Sequence, residues 1–310
     1  MIGLTSAVVV GQSNLVPNSS FEEYPSCPIG IAEAGNLLHW YNPTNASPDL
    51  FSTCSINPNS QIPENFAGFQ YPRTDSSYVG IALARPDTTT YREYLGVELT
   101  NTLQPDSFYC ISFFVSAPDS VYLFTDNLGI HFSTNLISQS SLEYLDLEYH
   151  IRNPEFHFLD DTQHWVEISG IYKATGGEKF LTIGNFSSFS EVNLYGDTNS
   201  IAYIYLDDIS VISCTPTDST DPPVPVDVPL ISVNPNPATE FIRIYSEIPD
   251  GSDAVFQLFD VQGKKIAELP LDEGRNTLTH YLPGYAAGLY GWRLVVNGEV
   301  AEKGKLIVIR

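Results

Sequence analysis

Short apolar segments that alternate with clusters of turn-forming residues are the feature that most constrains the fold of this chain. Typical segments are "YVGIALA" at 78–84, "FYCISFFVS" at 108–116 and "AYIYLDDISVI" at 202–212. They are rich in β-branched and aromatic residues and are bounded by Pro, Gly, Asn and Ser. The apolar spacing shows no amphipathic helix longer than about three turns. The chain is therefore predicted to be all-β, with a jelly-roll β-sandwich in its first part.

A polar segment divides the chain into two domains. The stretch "CTPTDSTDPPVPVDVP" at 214–229 has too little apolar content to join a core. We therefore expect a jelly-roll domain at 13–214, a linker at 215–229 and a small domain at 230–310. The small domain contains the hairpin signals "DVQGKK" and "VNGEV" among short strands. This pattern predicts an immunoglobulin-like β-sandwich.

The charge balance argues against several classes of partner. The 310 residues include 14 Lys and Arg against 37 Asp and Glu, which gives a net charge of −23. A chain this acidic cannot assemble the basic surface that nucleic acid or anionic lipid requires. No apolar run approaches the roughly 20 residues of a transmembrane helix. The first residues, 1–12, resemble a signal peptide without its basic start, and a buried first strand is the alternative.

Four cysteines precede residue 215. An even number of cysteines in a chain with a signal-like start predicts two disulfides, with three ways of pairing them. We expect Cys27–Cys54, which encloses one local excursion, and Cys110–Cys214, which joins an inner strand to the last strand of the domain. Zinc is the alternative role, but no two of these cysteines have the close spacing of a usual zinc site.

The C-terminal domain carries three blocks in a fixed order. They are "NPNPATEFIRI" at 234–244, "QLFDVQGKKI" at 257–266 and "LPGYAAGLYGWRL" at 282–294, which continues to "GKLIV". These blocks resemble the type A C-terminal sorting domain of the type IX secretion system of Bacteroidetes. The resemblance implies that the secretion machinery handles residues 230–310 and that the protein is secreted or displayed on the cell surface. An ordinary adhesive immunoglobulin-like repeat is the alternative.

The first domain begins with "NLVPNSSFEEY" at 14–24 and ends with "YIYLDDISVISC" at 203–214. It is similar to Bacteroidetes surface proteins whose jelly roll is related to galactose-binding-like and calcium-bearing carbohydrate-binding modules. The resemblance implies a structural Ca²⁺ held by Glu22 and Asp207. Strand alternation predicts that Asp207 faces the same side as Ile209 and Val211. In the alternative reading, the two acids cap turns or accept backbone N–H groups.

Aromatic residues in the long N-terminal loops are candidates for stacking on sugar rings. The predicted ligand-binding residues are Trp40, Tyr41, Tyr71, Arg73 and Tyr91. Phe69 lies in the same region, and Arg92 is a candidate hydrogen-bonding partner whose alternative role, to anchor a loop, is favoured. Trp165 begins an alternating strand and is expected to lie in the core.

No catalytic pattern stands out. The sequence has no G-x-S-x-G, H-E-x-x-H, P-loop or dinucleotide-binding pattern. We therefore expect an exported, non-enzymatic protein that binds a glycan or another surface component. A self-associating structural or filament subunit is the second hypothesis, and a secreted polysaccharide hydrolase is the third.

Overall fold

The computed structural model describes most of the chain. The described residues are 13–86, 91–215, 230–234, 236, 238–249 and 251–309. The signal-like segment and nearly all of the predicted linker lie outside these residues. The described chain forms two compact units: one contains 13–86, 91–154 and 158–215, and the other contains 155–157 and the residues from 230 onward.

The first domain is built from short strands. In chain order they are β1 (Trp40–Tyr41), β2 (Asp49–Ser52), β3 (Glu64–Asn65), β4 (Gly68–Phe69), β5 (Ser77–Ala84), β6 (Leu95–Glu98), β7 (Phe108–Ser116), β8 (Leu123–Thr125), β9 (Gly129–Ser133), β10 (Ile151–Arg152), β11 (Val166–Lys173), β12 (Phe180–Gly184), β13 (Leu194–Gly196) and β14 (Ala202–Cys214). Single 3₁₀ turns occur at Ala34–Asn36 and Phe189–Glu191.

Two main sheets enclose the core of this domain. One has the order β1-β6-β12-β9-β10, and the other follows β11-β7-β14-β5-β2 with β8 and β13 attached. Alternate residues of the facing strands, such as Leu95, Ile183, Ile81 and Leu206, meet in one buried cluster. This arrangement confirms the predicted β-sandwich, because each strand buries the side chains of one face.

Both disulfides are present as predicted. Cys27 is bonded to Cys54, and Cys110 is bonded to Cys214. The second bond lies within the paired strands β7 and β14, where Ile212 rather than Cys214 is the direct partner of Cys110. No free cysteine is found among the described residues.

The second domain is a smaller antiparallel sandwich. Its strands are β15 (Leu230–Asn234), β16 (Phe241–Ile248), β17 (Ala254–Phe259), β18 (Lys265–Leu271), β19 (Gly274–Tyr281), β20 (Gly288–Val296) and β21 (Glu299–Val308). They form the sheets β15-β16-β19 and β18-β17-β20-β21. Ile242, Ile244, Phe256, Leu258 and Leu294 form its core. The fold class is therefore all-β in both domains, and no helix in the described part of the chain could span a membrane.

Glu178 secures the turn between β11 and β12. Its carboxylate accepts hydrogen bonds from the Tyr172 hydroxyl at 2.7 Å, the Thr175 backbone N–H at 2.8 Å and the Gly176 backbone N–H at 2.8 Å. Burial alone would raise the pKa of Glu178, but the hydrogen bonds from Thr175 and Tyr172 outweigh it and lower the pKa to about 2. The ionised carboxylate therefore stabilises this end of the sandwich.

We predict that Glu178→Gln lowers the free energy of unfolding of the first domain by about 1.5–3 kcal/mol at neutral pH. Because the pKa is lowered on folding, the contribution is complete above the unfolded pKa of about 4.3 and is lost as the pH falls towards about 2. Urea unfolding at a series of pH values should show the wild type and the variant converging over this range. Glu143→Gln, at an exposed position, is the control, and an equal effect of the two changes would contradict the prediction.

Candidate ligand-binding surface

The segment 55–75 covers the outer face of the seven-stranded sheet. Tyr78 and Tyr205 point to this face and are fully buried beneath the segment. Asn65 joins them: its side-chain amide donates to the Tyr78 hydroxyl at 2.9 Å, and its carbonyl oxygen accepts from the Tyr205 hydroxyl at 2.7 Å. Gln70 adds a bond to the Ser116 hydroxyl at 2.6 Å. The segment is thus fixed to the sheet by buried polar contacts.

Three aromatic residues on top of this face form what we call the aromatic platform: Phe69, Tyr71 and Trp165. The rings of Phe69 and Tyr71 meet edge to face, with 5.3 Å between centroids. They are 43% and 62% exposed. The Trp165 indole N–H, from the residue just before β11, donates to the Tyr71 carbonyl oxygen at 3.0 Å and supports the loop that carries the tyrosine. The platform combines exposed rings with a fixed backbone.

The position of Phe69 depends on a close backbone approach at Gly68. The carboxylate of Asp119 accepts a hydrogen bond from the Phe69 N–H at 2.9 Å. A Cβ atom at Gly68 would lie 2.3 Å from that carboxylate oxygen, and the backbone there has a φ of +145°. Only glycine fits this position, because any side chain would displace Asp119. The turn therefore orients Phe69 relative to Tyr71.

Arg73 lies beside the platform with its charge already balanced. Its guanidinium stacks on the ring of Phe114, at 3.4 Å from the centroid, and pairs with Asp208. Thr74 donates to the same Asp208 carboxylate at 2.7 Å. Arg73 is therefore a fixed donor with a side chain that is 34% exposed, and it follows Tyr71 by two residues in the chain.

The other predicted ligand-binding residues lie elsewhere. Trp40 is only 4% exposed and packs against Phe21, with its indole N–H bonded to the Asn18 carbonyl oxygen. Its ring belongs to the core, which corrects its assignment as a stacking surface. Tyr91 packs against the same buried outer-face cluster as Trp165, but it is half-buried and its hydroxyl donates to Glu93 at 2.7 Å. Tyr41 lies on the outer face of the other sheet.

Trp165 was predicted to be a core residue, and the structure places it on the outer face instead. Ile168 and Tyr172 of β11 are buried in the sandwich core, so alternation sends Glu167 and Ser169 to the other face. Trp165 shares the parity of these polar residues. The strand pattern therefore contained the signal, but the size and apolar character of tryptophan favoured the core interpretation.

Glu22 and Asp207 both bind the short segment 73–77. The Glu22 carboxylate accepts from the N–H groups of Ser76 at 3.0 Å and Ser77 at 2.8 Å. Asp207 accepts from the Arg73 N–H at 3.0 Å and is fully buried. Burial, followed by the neighbouring Asp208 carboxylate, raises the pKa of Asp207 to about 8. We call this arrangement the carboxylate clamp, since it ties the first segment and the last strand to one loop.

The predicted facing of Asp207 was wrong. A β-bulge shifts the register of β14 between Asp207 and Ser210, and Asp208 has a positive φ of 52°. Leu206 and Ile209 consequently lie on the core side, whereas Asp207 shares the outer face with Tyr205. Simple alternation fails here because the extra residue in the bulge reverses the face of the sheet to which the preceding residues of β14 point.

Calcium is the metal predicted for the clamp. Ca²⁺ takes six to eight oxygen ligands. The hydrogen-bond partners of Glu22 and Asp207 are N–H and O–H donors, and no cluster of three or more His, Cys, Asp or Glu residues able to hold a metal occurs in the described ranges. The described residues form a hydrogen-bonded clamp, and calcium stays a prediction.

Fold and surface together define a two-domain β-sandwich protein with an exposed aromatic platform on its first domain. Residues 232–309 match the family model described as the secretion system C-terminal sorting domain. The second domain is a sorting domain of this type IX family, and the chain is exported to the cell surface or the medium. The prediction from the three sequence blocks is confirmed.

Solved structures resemble the chain weakly. The K2 cleaved adhesin domain of Lys-gingipain is 12% identical, with 64% of this chain and 97% of that one covered and a TM-score of 0.32. The CBM22-1 xylan-binding domain of Xyn10C from Paenibacillus barcinonensis is 12% identical, with 62% and 100% covered and a TM-score of 0.32. The tandem CBM22-1–CBM22-2 domain of the same protein is 11% identical, with 98% and 87% covered and a TM-score of 0.35. Similarity at this level says nothing about a shared ligand. No curated protein matches the chain.

We predict that Glu22→Gln lowers the free energy of unfolding of the first domain by about 1–3 kcal/mol, because its amide group faces the N–H donors of Ser76 and Ser77. Its neighbour Glu23 has an exposed side chain, so Glu23→Gln is the matched control and should change stability by less than about 0.5 kcal/mol. Denaturant unfolding measures both. Equal effects would show that the clamp does not stabilise the domain.

The calcium prediction has a separate test. If Ca²⁺ bridges Glu22 and Asp207, chelator should lower the Tm of the wild-type chain and added Ca²⁺ should restore it, with no such response in Glu22→Gln. An unchanged Tm would contradict the calcium prediction and show that the clamp consists of its hydrogen bonds.

Proposed function

We propose that this is an exported binding protein that holds a glycan or another cell-surface component on the aromatic platform and performs no chemistry on it. The observation that carries the proposal is the exposed edge-to-face pair Phe69 and Tyr71, held from below by buried polar contacts. The absence of a catalytic motif from the sequence supports the non-enzymatic part.

An exposed aromatic pair of this kind suits a sugar ring. The C–H face of a pyranose is apolar and packs on an aromatic face, while its hydroxyl groups at the rim need hydrogen-bond partners. Near the platform, the Arg73 guanidinium and the Asp119 carboxylate are fixed by Asp208 and by the Phe69 N–H. Fixed polar groups around apolar rings favour a ligand that has both apolar and polar surfaces.

The rigidity of the platform adds to the argument. Gly68, Asp119 and the Trp165 indole all restrain the backbone that carries the two rings. Restrained rings lose little conformational entropy when a ligand covers them. A preformed surface of this kind is expected of a binding site rather than of two aromatic residues exposed by chance.

We predict that Tyr71→Ala weakens binding of a glycan, first found on a glycan array with the full chain, by roughly tenfold. The matched control is Tyr281→Ala in the second domain. Tyr281 is 66% exposed and meets Phe241 edge to face, so it resembles Tyr71 in exposure and ring contact. Its replacement should leave the affinity unchanged.

Two outcomes would contradict the proposal. The first is an equal loss of binding in Tyr71→Ala and Tyr281→Ala. The second is a full chain that retains no glycan but associates with itself as its concentration rises, which would favour the structural subunit.

A further inference from the structure

Strand β11 forms one edge of the seven-stranded sheet, and its outer side is open. Among the described residues, β7 is the only strand that pairs with it. The other edges of the first domain are short or covered: β1, β3, β4 and β10 have two residues each, β13 has three, and β2 is buried and bridged to Gln61. The eight residues Val166–Lys173 are therefore the long open edge of this domain in the described part of the chain.

The backbone shows which groups lie on the open side of β11. The Ala174 N–H, one residue beyond the strand, donates to the Ser107 carbonyl oxygen at 2.9 Å. In an antiparallel pair, successive residues direct their N–H and C=O groups to opposite sides. The even-numbered residues of β11 therefore bond to β7, and the odd-numbered residues direct their groups to the open edge. Such a row of groups is a template for another strand.

The side chains of the odd-numbered residues lie on the outer face of the sheet. The four exposed residues of this set are Glu167, Ser169, Ile171 and Lys173. On the opposite face, a Cβ atom at Gly170 would lie 2.8 Å from the Cδ1 of Ile151 in β10. Ile151 therefore closes the core beneath the strand, and the outer side stays open.

β11 lacks several of the devices that keep edge strands from pairing. It contains no proline, and its register with β7 is regular over all eight residues. Ile171 is 57% exposed in the middle of the edge row. Long, regular edges with exposed apolar side chains pair readily with other strands, so natural proteins seldom leave them open without a partner.

The charges of β11 are complementary to those of a second copy of the same strand. Glu167 and Lys173 lie three residues to either side of Gly170. If two copies pair antiparallel with Gly170 opposite Gly170, each Glu167 lies opposite the Lys173 of the other copy. A shift by two residues in either direction removes both contacts, and a parallel pair in register brings like charges together. Opposite charges across a strand pair stabilise it, and like charges destabilise it.

Lys173 can form this contact while it keeps its present one. Its Nζ pairs with the Asp106 carboxylate at 2.8 Å, and both side chains are more than half exposed. An ammonium group has three N–H donors, and an exposed pair of this kind adds little stability. Lys173 can therefore donate to Asp106 and to the Glu167 of a second copy at the same time.

We propose that β11 is a self-association surface, on which a second copy of this chain adds its own β11 in antiparallel register about Gly170. The two seven-stranded sheets then form one continuous sheet. In this register Ser169 lies opposite the Ile171 of the other copy, so the two isoleucines are diagonal neighbours and shield each other from water. The contact is short, and the net charge of −23 on each copy opposes it, so the dimer is weak.

The pairing places two aromatic platforms on one face of the continuous sheet. Residues opposite each other in an antiparallel pair point to the same face, so the outer faces of the two copies coincide. Trp165 of the platform directly precedes β11, and ten residues of strand, or about 33 Å, separate it from the Trp165 of the other copy. Two linked sites hold a multivalent ligand more tightly than one. This consequence rests on the proposed function, whereas the strand pairing does not.

Charge reversal tests the pairing by sedimentation equilibrium of the full chain. The wild type should form a dimer with a Kd on the order of 100 µM. Glu167→Lys and Lys173→Glu each turn two attractive contacts into repulsive ones, so each should raise the Kd at least about tenfold. The double variant restores the complementarity, and its Kd should return to within about threefold of the wild type. No glycan is present, so a failure of the platform does not affect the result.

A mixture of the two single variants gives an independent readout. In a mixed dimer, the two positive positions of Glu167→Lys face the two negative positions of Lys173→Glu. The equimolar mixture should therefore dimerise at concentrations at which each variant alone is monomeric. The matched control is Lys179→Glu: Lys179 is an exposed lysine that pairs with Glu98 on the other sheet, and its reversal changes the net charge by the same amount. Its Kd should stay within about twofold of the wild type.

Four results would overturn the proposal. The first is a wild-type chain that stays monomeric up to about 1 mM. The second is an equal rise in Kd for Lys179→Glu and Lys173→Glu, which would make net charge the cause. The third is a double variant that dimerises as weakly as the single variants, and the fourth is a mixture that stays monomeric.

Discussion

The amide of Asn65 is the contact on which the outer architecture of the first domain depends. It joins the buried hydroxyls of Tyr78 and Tyr205 and so fastens a long, strand-poor segment to the sheet. At the end of the same segment, the carboxylate clamp of Glu22 and Asp207 fixes residues 73–77. Buried polar groups with complete hydrogen bonding specify one arrangement of the chain more strongly than apolar contacts do. The exposed rings of the platform are therefore held in fixed positions.

The two domains have separate roles in this account. The second domain belongs to the type IX sorting family and accounts for export. In the first domain, an irregular segment covers the outer face of the seven-stranded sheet and carries the exposed rings of the platform. A rigid sandwich that carries its variable loops outside the core is a common way to place binding residues. The acidic composition fits an exported, soluble surface rather than a nucleic acid partner.

Much of the fold could be predicted from the sequence, because the signals for strands and turns are local. Strand periodicity and turn residues indicated the two sandwiches, and the position of the cysteines indicated the disulfides. The orientation of Asp207 could not be predicted, because the bulge at Asp208 depends on the ion pair with Arg73 and on hydrogen bonds from distant loops. The predicted ligand-binding role of Trp40 was wrong for a related reason, because its burial results from packing on Phe21 across a turn.

The most direct measurement of the central claim is the indole N–H spectrum of the full chain during titration with the bound glycan. The chain has three tryptophans, and they lie in distinct places: Trp165 on the platform, Trp40 in the first core and Trp292 in the second domain. If the platform binds the ligand, the Trp165 signal should shift with the ligand concentration while the signals of Trp40 and Trp292 stay in place. A shift confined to Trp292, or no shift of Trp165 at saturation, would contradict the account.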